Sequence, residues 1–195
     1  MRRGEAAFHM GDPFSAIYAV RWGFFKSTDL HEMGHQQVVG FSMRGDLLGL
    51  DGVGVESYNC TATALEDSEI VILPFARLQE LARANPAMQR ELHGMLSREI
   101  TRNHGMMTLL GSMRAEARLA NFLANLSARF LQRGYSASDF VLRMTRRDIG
   151  SYLGLQLETV SRVFSQFQRR GLLKVEQKHI RILDAESLRR VCAES

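Results

Sequence analysis

The chain has 195 residues, 45% hydrophobic and 24% charged, with a formal net charge of +4 and two widely separated cysteines, Cys60 and Cys192. That balance describes a globular protein with one large or two modest cores and excludes a disordered tail; no apolar run approaches the roughly 18 residues of a membrane span, so no membrane partner is expected. Two lone cysteines make neither a disulfide framework nor a four-thiolate site, and the start, MRRGEAAFHMGDP, lacks the apolar core of a signal peptide, which makes the cytoplasm the expected location.

From Phe8 to about Leu73 short apolar runs alternate with glycines at Gly11, Gly23, Gly34, Gly40, Gly45, Gly49, Gly52 and Gly54. This is the texture of short strands joined by tight turns, an all-β barrel or roll occupying residues 1–83. Pro74 closes the last strand, and FARLQELA predicts a short helix. Asn85-Pro86 then supplies an N-cap with proline at the first helical position, opening a long helix over residues 84–113. Along it Met88, Leu92, Leu96, Ile100, Asn103, Met107 and Leu110 repeat at steps of four and three. That spacing is close to a coiled-coil seam with one polar residue setting its register, so a homodimer is expected; a helix packed on its own domain is the alternative.

Residues 114–195 begin with another amphipathic helix, MRAEARLANFLANLSARFLQRG, with Leu119, Phe122, Leu123, Leu126 and Phe130 on its apolar side and Gly134 ending it. FVLRM is a candidate strand. TRRDIGSYLG is a helix with Thr145 as N-cap and Asp148 in capping-box position, broken by Gly154. The next segment, LQLETVSRVFSQFQRR, carries two faces: Leu157, Val160, Phe164 and Phe167 on one side, and Glu158, Ser161, Arg162 and Ser165 on the other. Helix, glycine turn and second helix with a polar outer face have the spacing of a helix-turn-helix, and LLKVEQKHIRIL adds two strands around Gln177-Lys178 as a wing. Between Arg143 and Arg190 there are 11 basic residues against five acidic ones, an excess that fits either a solvated charged surface or the electrostatic footprint of a phosphate-backbone partner such as double-stranded DNA. An α-helix fits the major groove, where arginine bonds guanine, glutamate accepts from cytosine and serine meets either edge.

The order roll, long helix, winged helix resembles the CRP/FNR family of bacterial transcription regulators from about Gly4 to Leu183. Five stretches are similar to its FNR branch: GDPFSAIYAVRWGFFKS, QQVVGFSMRGDLLGLDGVG, LSREITRNHGMM, AEARLANFLANLSARFLQRG and MTRRDIGSYLGLQLETVSR. The resemblance implies an α+β protein with a cyclic-nucleotide-binding-like jelly roll, a dimerisation helix and a winged helix-turn-helix, without catalytic activity. It places Glu158, Ser161 and Arg162 on the bases of a TTGAT-N4-ATCAA-like palindrome. Thr145, Arg146, Arg147, Ser165, Lys174 and Lys178 are expected on phosphates. The hairpin tip, His31, Glu32, Gly34 and His35, is expected against RNA polymerase, with Trp22, Asp67 and Ser136 as a weaker second region.

Two departures bear on cofactors. The oxygen sensors of the branch hold a [4Fe-4S] cluster with an N-terminal cysteine group and one roll cysteine; this chain begins after the first region, and Val71 stands at the place of the second, so no cluster is expected. Cyclic AMP is not expected either, because the ribose- and phosphate-holding positions match Leu50 and Asn59-Cys60, with no arginine for the phosphate. In the branch the residue matching Asn103 is an aspartate whose charge opposes pairing; here it is neutral. The runner-up reading is a ligand- or metal-binding roll, with His9, His31 and His35 as the histidines to weigh and the helix-turn-helix serving protein contacts. No His-x-His with a following glutamate supports it.

Overall fold

The computed structural model describes residues 1–30 and 36–193. The chain divides into two compact units, Met1–His104 and Gly105–Ser195.

The first unit is the expected roll. Its strands are β1 (Ala6–Phe8), β2 (Ala16–Trp22), β3 (Phe24–Leu30), β4 (Gln36–Met43), β5 (Leu47–Leu48), β6 (Thr61–Ala64) and β7 (Glu69–Pro74). They form two antiparallel sheets, β1-β6-β3-β4 and β5-β2-β7. Neither sheet could bury an apolar face alone, and the packed pair encloses Phe8, Val20, Phe25, Leu48, Tyr58, Ala62 and Ala64. The Phe8 ring stacks on Tyr58 with centroids 4.0 Å apart, and the buried Tyr58 hydroxyl donates to the Ala16 carbonyl at 2.8 Å. A single 3-10 turn, Leu50–Gly52, lies between β5 and β6.

Pro74 ends the last strand of the roll, and α1 (Phe75–Ala84) and α2 (Pro86–Ser112) follow. The predicted cap is in place: Asn85 Oδ1 accepts from the amides of Ala87 at 2.9 Å and Met88 at 3.3 Å. Along α2 the seam residues Met88, Leu92, Leu96 and Leu110 are half-buried, whereas Ile100 is 56% and Met107 71% exposed.

The second unit contains α3 (Ala115–Gln132), β8 (Asp139–Val141), α4 (Arg146–Leu153), α5 (Leu157–Arg169), β9 (Leu173–Glu176), β10 (His179–Ile182) and α6 (Ala185–Ala193). The strands form one antiparallel sheet, β8-β10-β9, with the wing hairpin turning at Gln177, whose φ of 58° is left-handed. Leu119, Leu123, Ile149, Leu153, Phe167, Ile180 and Leu188 are buried together with Val160 and Val163 in its core.

One side chain of α3 organises the start of this unit. Arg118 donates to three carbonyls: Leu110 at 2.7 Å, Met113 at 2.9 Å and Leu153 at 3.0 Å. Leu110 stands in the last turn of α2 and Leu153 ends α4, so one guanidinium satisfies orphan acceptors at two helix C-termini. Nothing in the local sequence around Arg118 announces this, since its partners lie in two other helices and in the link after α2.

Candidate nucleic-acid interface

The frame of the interface is α4 and α5. Thr145 starts α4 with a complete capping box: its Oγ1 accepts from the Asp148 amide at 3.1 Å, and Asp148 Oδ2 accepts from the Thr145 amide at 2.9 Å. Gly154 ends the helix in the left-handed region at φ 62°. At Gly150 an added Cβ would stand 2.6 Å from the Leu155 carbonyl oxygen, which itself belongs to the turn between the helices. Only glycine lets the turn pass this close, and the Leu155 amide returns a hydrogen bond to the Gly150 carbonyl at 2.8 Å.

Helix α5 has the two faces the spacing predicts, with one exchange on the apolar side. Val160, Val163, Phe164 and Phe167 are buried, whereas Leu157 is 37% exposed. The buried stripe therefore begins one turn later than the sequence reading set it, and Val163 joins it at the i+3 step from Val160. Opposite, Glu158, Ser161, Arg162 and Ser165 are all exposed. The side chains of Glu158, Ser161 and Arg162 have no hydrogen-bond or ion-pair partner among the described residues, which leaves an acceptor, a hydroxyl and a guanidinium available in one row.

Three residues assigned to phosphates have other engagements. Thr145 gives its one hydroxyl proton to Asp148 Oδ2 at 2.6 Å while its oxygen accepts the cap bond, so the side chain caps α4. Ser165 donates back to the Ser161 carbonyl at 3.1 Å, one turn earlier. Arg146 is the most enclosed of the three: its guanidinium lies over the Phe164 ring, 3.2 Å from the centroid, with Nη1 buried and unpartnered. Burial pushes its pKa down to about 10, so it stays charged near neutral pH and clamps the first turn of α4 onto α5 by a cation–π contact. Arg147, Lys174 and Lys178 remain exposed, Lys174 paired with Glu176 at 2.7 Å on the surface. Trp22 is 57% exposed on β2. His31, Glu32, Gly34 and His35 lie outside the described residues.

The wing is fastened to this frame by polar contacts. Gln168 Oε1 accepts from the Val175 amide at 3.0 Å, tying α5 to β9. Asp139 on β8 receives His179 Nε2 at one oxygen and Arg181 Nε at 3.0 Å at the other, both from β10. The His179 bond, followed by the Arg181 bond, holds the Asp139 carboxyl below the ordinary carboxylate range.

The roll contains a cavity of about 580 Å³, lined by β3, β4, β5, the 3-10 turn and its exit, β6 with its approach, and α2. Its size would admit a cyclic nucleotide, but its chemistry does not fit one. Among the described residues its lining carries Asp29, Asp51 and Glu99 against one cation, Arg102, which is paired with Glu99 at 2.7 Å. Asn59 turns its amide onto Asp51 Oδ2 at 2.8 Å and its side-chain nitrogen onto the Asp51 carbonyl at 2.8 Å. The lining guanidinium and the Asn59 amides are thus engaged by groups of the protein itself, so no free cationic donor is left for an anionic phosphate among the described residues.

An iron–sulfur cluster fits no better among the described residues, where no group of three or more His, Cys, Asp or Glu could hold a metal. Cys60 is buried, and burial reinforced by Asp51 pushes its thiol up to about 12, away from the thiolate a cluster requires. Val71 is exposed on β7.

Comparison with known proteins accounts for both units. Residues 1–85 match the cyclic nucleotide-binding domain, and residues 117–191 match the Crp-like helix-turn-helix domain. The transcriptional activator protein Anr of Pseudomonas aeruginosa is 45% identical over 188 residues, covering 96% of this chain and 77% of its own. The transcriptional regulatory protein Btr of Bordetella pertussis is 42% identical over 191 residues, covering 98% and 79%. The solved structure of FixK2 from Bradyrhizobium japonicum superposes with a TM-score of 0.91 at 31% identity, over 100% of this chain and 96% of that one. With its roll, its winged helix-turn-helix and relatives of this similarity along nearly its whole length, the chain belongs to the CRP/FNR family of transcriptional regulators, as a DNA-binding member.

Proposed function

We propose that the protein is a homodimeric regulator that reads a TTGAT-N4-ATCAA-like palindrome without a cluster or a cyclic nucleotide. The carrying observation is the row Glu158, Ser161 and Arg162, exposed and without side-chain partners on a helix whose other face is sealed by Val160, Val163, Phe164 and Phe167. In this reading Arg162 bonds the two acceptors of a guanine, Glu158 accepts from a neighbouring cytosine amino group, and Ser161 touches a thymine. Arg147, Lys174 and Lys178 meet phosphates and set the salt dependence. Arg146 holds α5 in place, and Thr145 caps the helix that supports it.

Dimerisation through α2 is supported by its exposed apolar residues Ile100 and Met107, with Asn103 between them, also exposed. A neutral Asn103 removes the like-charge repulsion that an aspartate would bring to a two-fold seam. The relatives named as activators support an activating role, in which the hairpin tip around His31, Glu32, Gly34 and His35 contacts RNA polymerase. A regulator of this kind acts in the cytoplasm; no helix among the described residues is long and apolar enough to cross a membrane.

Fluorescence anisotropy on the palindrome and on a scrambled duplex, in air and without added ligand, tests the reading. Preference for the palindrome is the expected result, and equal affinity for both duplexes would remove it. Sedimentation of the same metal-free protein is expected to give a dimer at micromolar concentration, with Asn103→Asp shifted toward monomer.

A further inference from the structure

We propose that the cavity of the roll is a binding site for a small organic cation with an apolar body, of the primary alkylammonium class. At about 580 Å³ it falls within the ordinary range of small-molecule pockets. Its two kinds of wall specify two ends of a ligand. Leu47, Leu48, Leu50, Val53, Leu96 and Ile100 offer an apolar surface, and Ser27, Asp29, Ser42 and Asp51 offer polar groups that are acceptors or can act as acceptors.

Two observations choose the sign of the charge, and Ser42 adds a polar group that can serve it. Among the described residues Asp29 has no hydrogen-bond or ion-pair partner, and the one lining cation, Arg102, already belongs to Glu99. Ser42 lines the cavity at 3% exposure, and its hydroxyl has no partner among the described residues. Asp29 and Asp51 both push up the pKa of the Cys60 thiol in the cavity wall, so their negative field reaches its interior. A carboxylate without a partner in a half-enclosed space is stabilised by an N–H donor carrying positive charge and destabilised by a phosphate or a carboxylate, and the Ser42 hydroxyl, which accepts as well as donates, can complete that donor's hydrogen bonds. The match to a cyclic nucleotide-binding domain therefore describes the shape of the roll and not the charge of its ligand.

The α2 wall of the cavity includes Leu96, Ile100 and Asn103, three members of the expected dimer seam. A ligand seated there touches the helix on which pairing depends, which gives the site a route to regulation. The site itself does not rest on the DNA reading and is tested apart from it.

Isothermal titration of the full chain with hexylammonium, 1-hexanol, hexanoate and cyclic AMP separates the possibilities. Hexylammonium is expected to bind at one site per chain and more tightly than hexanol, with no binding of hexanoate or cyclic AMP. Asp29→Asn should weaken hexylammonium by up to about fivefold, the equivalent of one partly exposed ion pair, while leaving hexanol unchanged. At Gly40 on β4 an added Cβ would sit 3.9 Å from the Ser27 Cβ, ordinary contact, so Gly40→Leu fits locally and fills the cavity; it should abolish binding of every probe. Far-UV circular dichroism with thermal melting of each variant, read separately, reports whether the roll is folded. Hexanoate binding as well as hexylammonium, no probe binding at all, or hexylammonium affinity unchanged in either folded variant would overturn the proposal.

Discussion

In the winged-helix unit the polar groups that matter stand outward from a packed helix, and in the roll they are turned inward. Glu158, Ser161 and Arg162 project from α5 because Val160, Val163, Phe164 and Phe167 fill the other side. Asp29, Ser42, Asp51 and Cys60 line a cavity whose walls come from β3, β4, the 3-10 turn and β6 with its approach. An outward row at helical period suits a long regular polymer, which must approach from outside with its own groove. A cavity suits a ligand small enough to be surrounded. One chain thus carries two recognition problems, solved by opposite placements of similar chemistry.

Substitutions that strike one unit and spare the other sharpen this contrast. The largest effect is expected at Gly150: Gly150→Val forces a side chain against the Leu155 carbonyl, 2.6 Å from an ideal Cβ, and should cost about 1–3 kcal/mol through overpacking. DNA binding should disappear while hexylammonium binding to the roll persists, and loss of both would show that the two sites do not operate separately. Next, Arg162→Ala removes a base contact worth about 1–3 kcal/mol, or about 5- to 150-fold in affinity for the palindrome. Its salt-sensitive binding to scrambled DNA should remain, as anisotropy across a salt series can measure.

Thr145→Ala distinguishes a cap from a phosphate contact. Loss of the capping box should lower stability by about 1 kcal/mol in a denaturant titration. The slope of DNA affinity against salt should stay as it is, whereas Arg147→Ala or Lys178→Ala should flatten it by about one counterion. The smallest effect is expected at Asp139, on the surface of the wing sheet. Its carboxyl is held below the ordinary range by His179 and Arg181, so its contribution is present above the unfolded carboxylate pKa and is lost as pH falls through the lowered folded value. Asp139→Asn should therefore lower Tm slightly at neutral pH, with the gap to the parent closing in acid, as thermal melts at several pH values would record.

What could be read from the sequence follows a physical divide. Features set by neighbours within a few residues were legible: the Asn85 cap, the Thr145–Asp148 box, the Gly154 stop and the wing hairpin all depend on local backbone chemistry. The outward face of α5 was legible for the same reason, since helical period alone puts Glu158, Ser161 and Arg162 together. Leu157 was misplaced because a helix's first turn can project past the core that its period points to. The Arg146 ring contact is not legible, because nothing local reveals that Phe164 lies beneath it. The cavity was not legible at all, because its lining runs from Ser27 to Asn103 and only the folded roll makes those positions neighbours.

Arg118 sets a ceiling on how strongly the last turn of α2 can command the DNA-reading pair. Its bonds to the carbonyls of Leu110, Met113 and Leu153 place the end of α2 and the end of α4 on the same guanidinium, so a rearrangement of one is felt by the other at the expense of a charge-assisted hydrogen bond. Such a bond contributes about 1.5–3 kcal/mol. The exchange of one of them corresponds to a change in DNA affinity of about 10- to 150-fold. A rearrangement that broke one such bond is therefore expected to grade DNA affinity over one to two decades and to leave measurable binding in the weaker state.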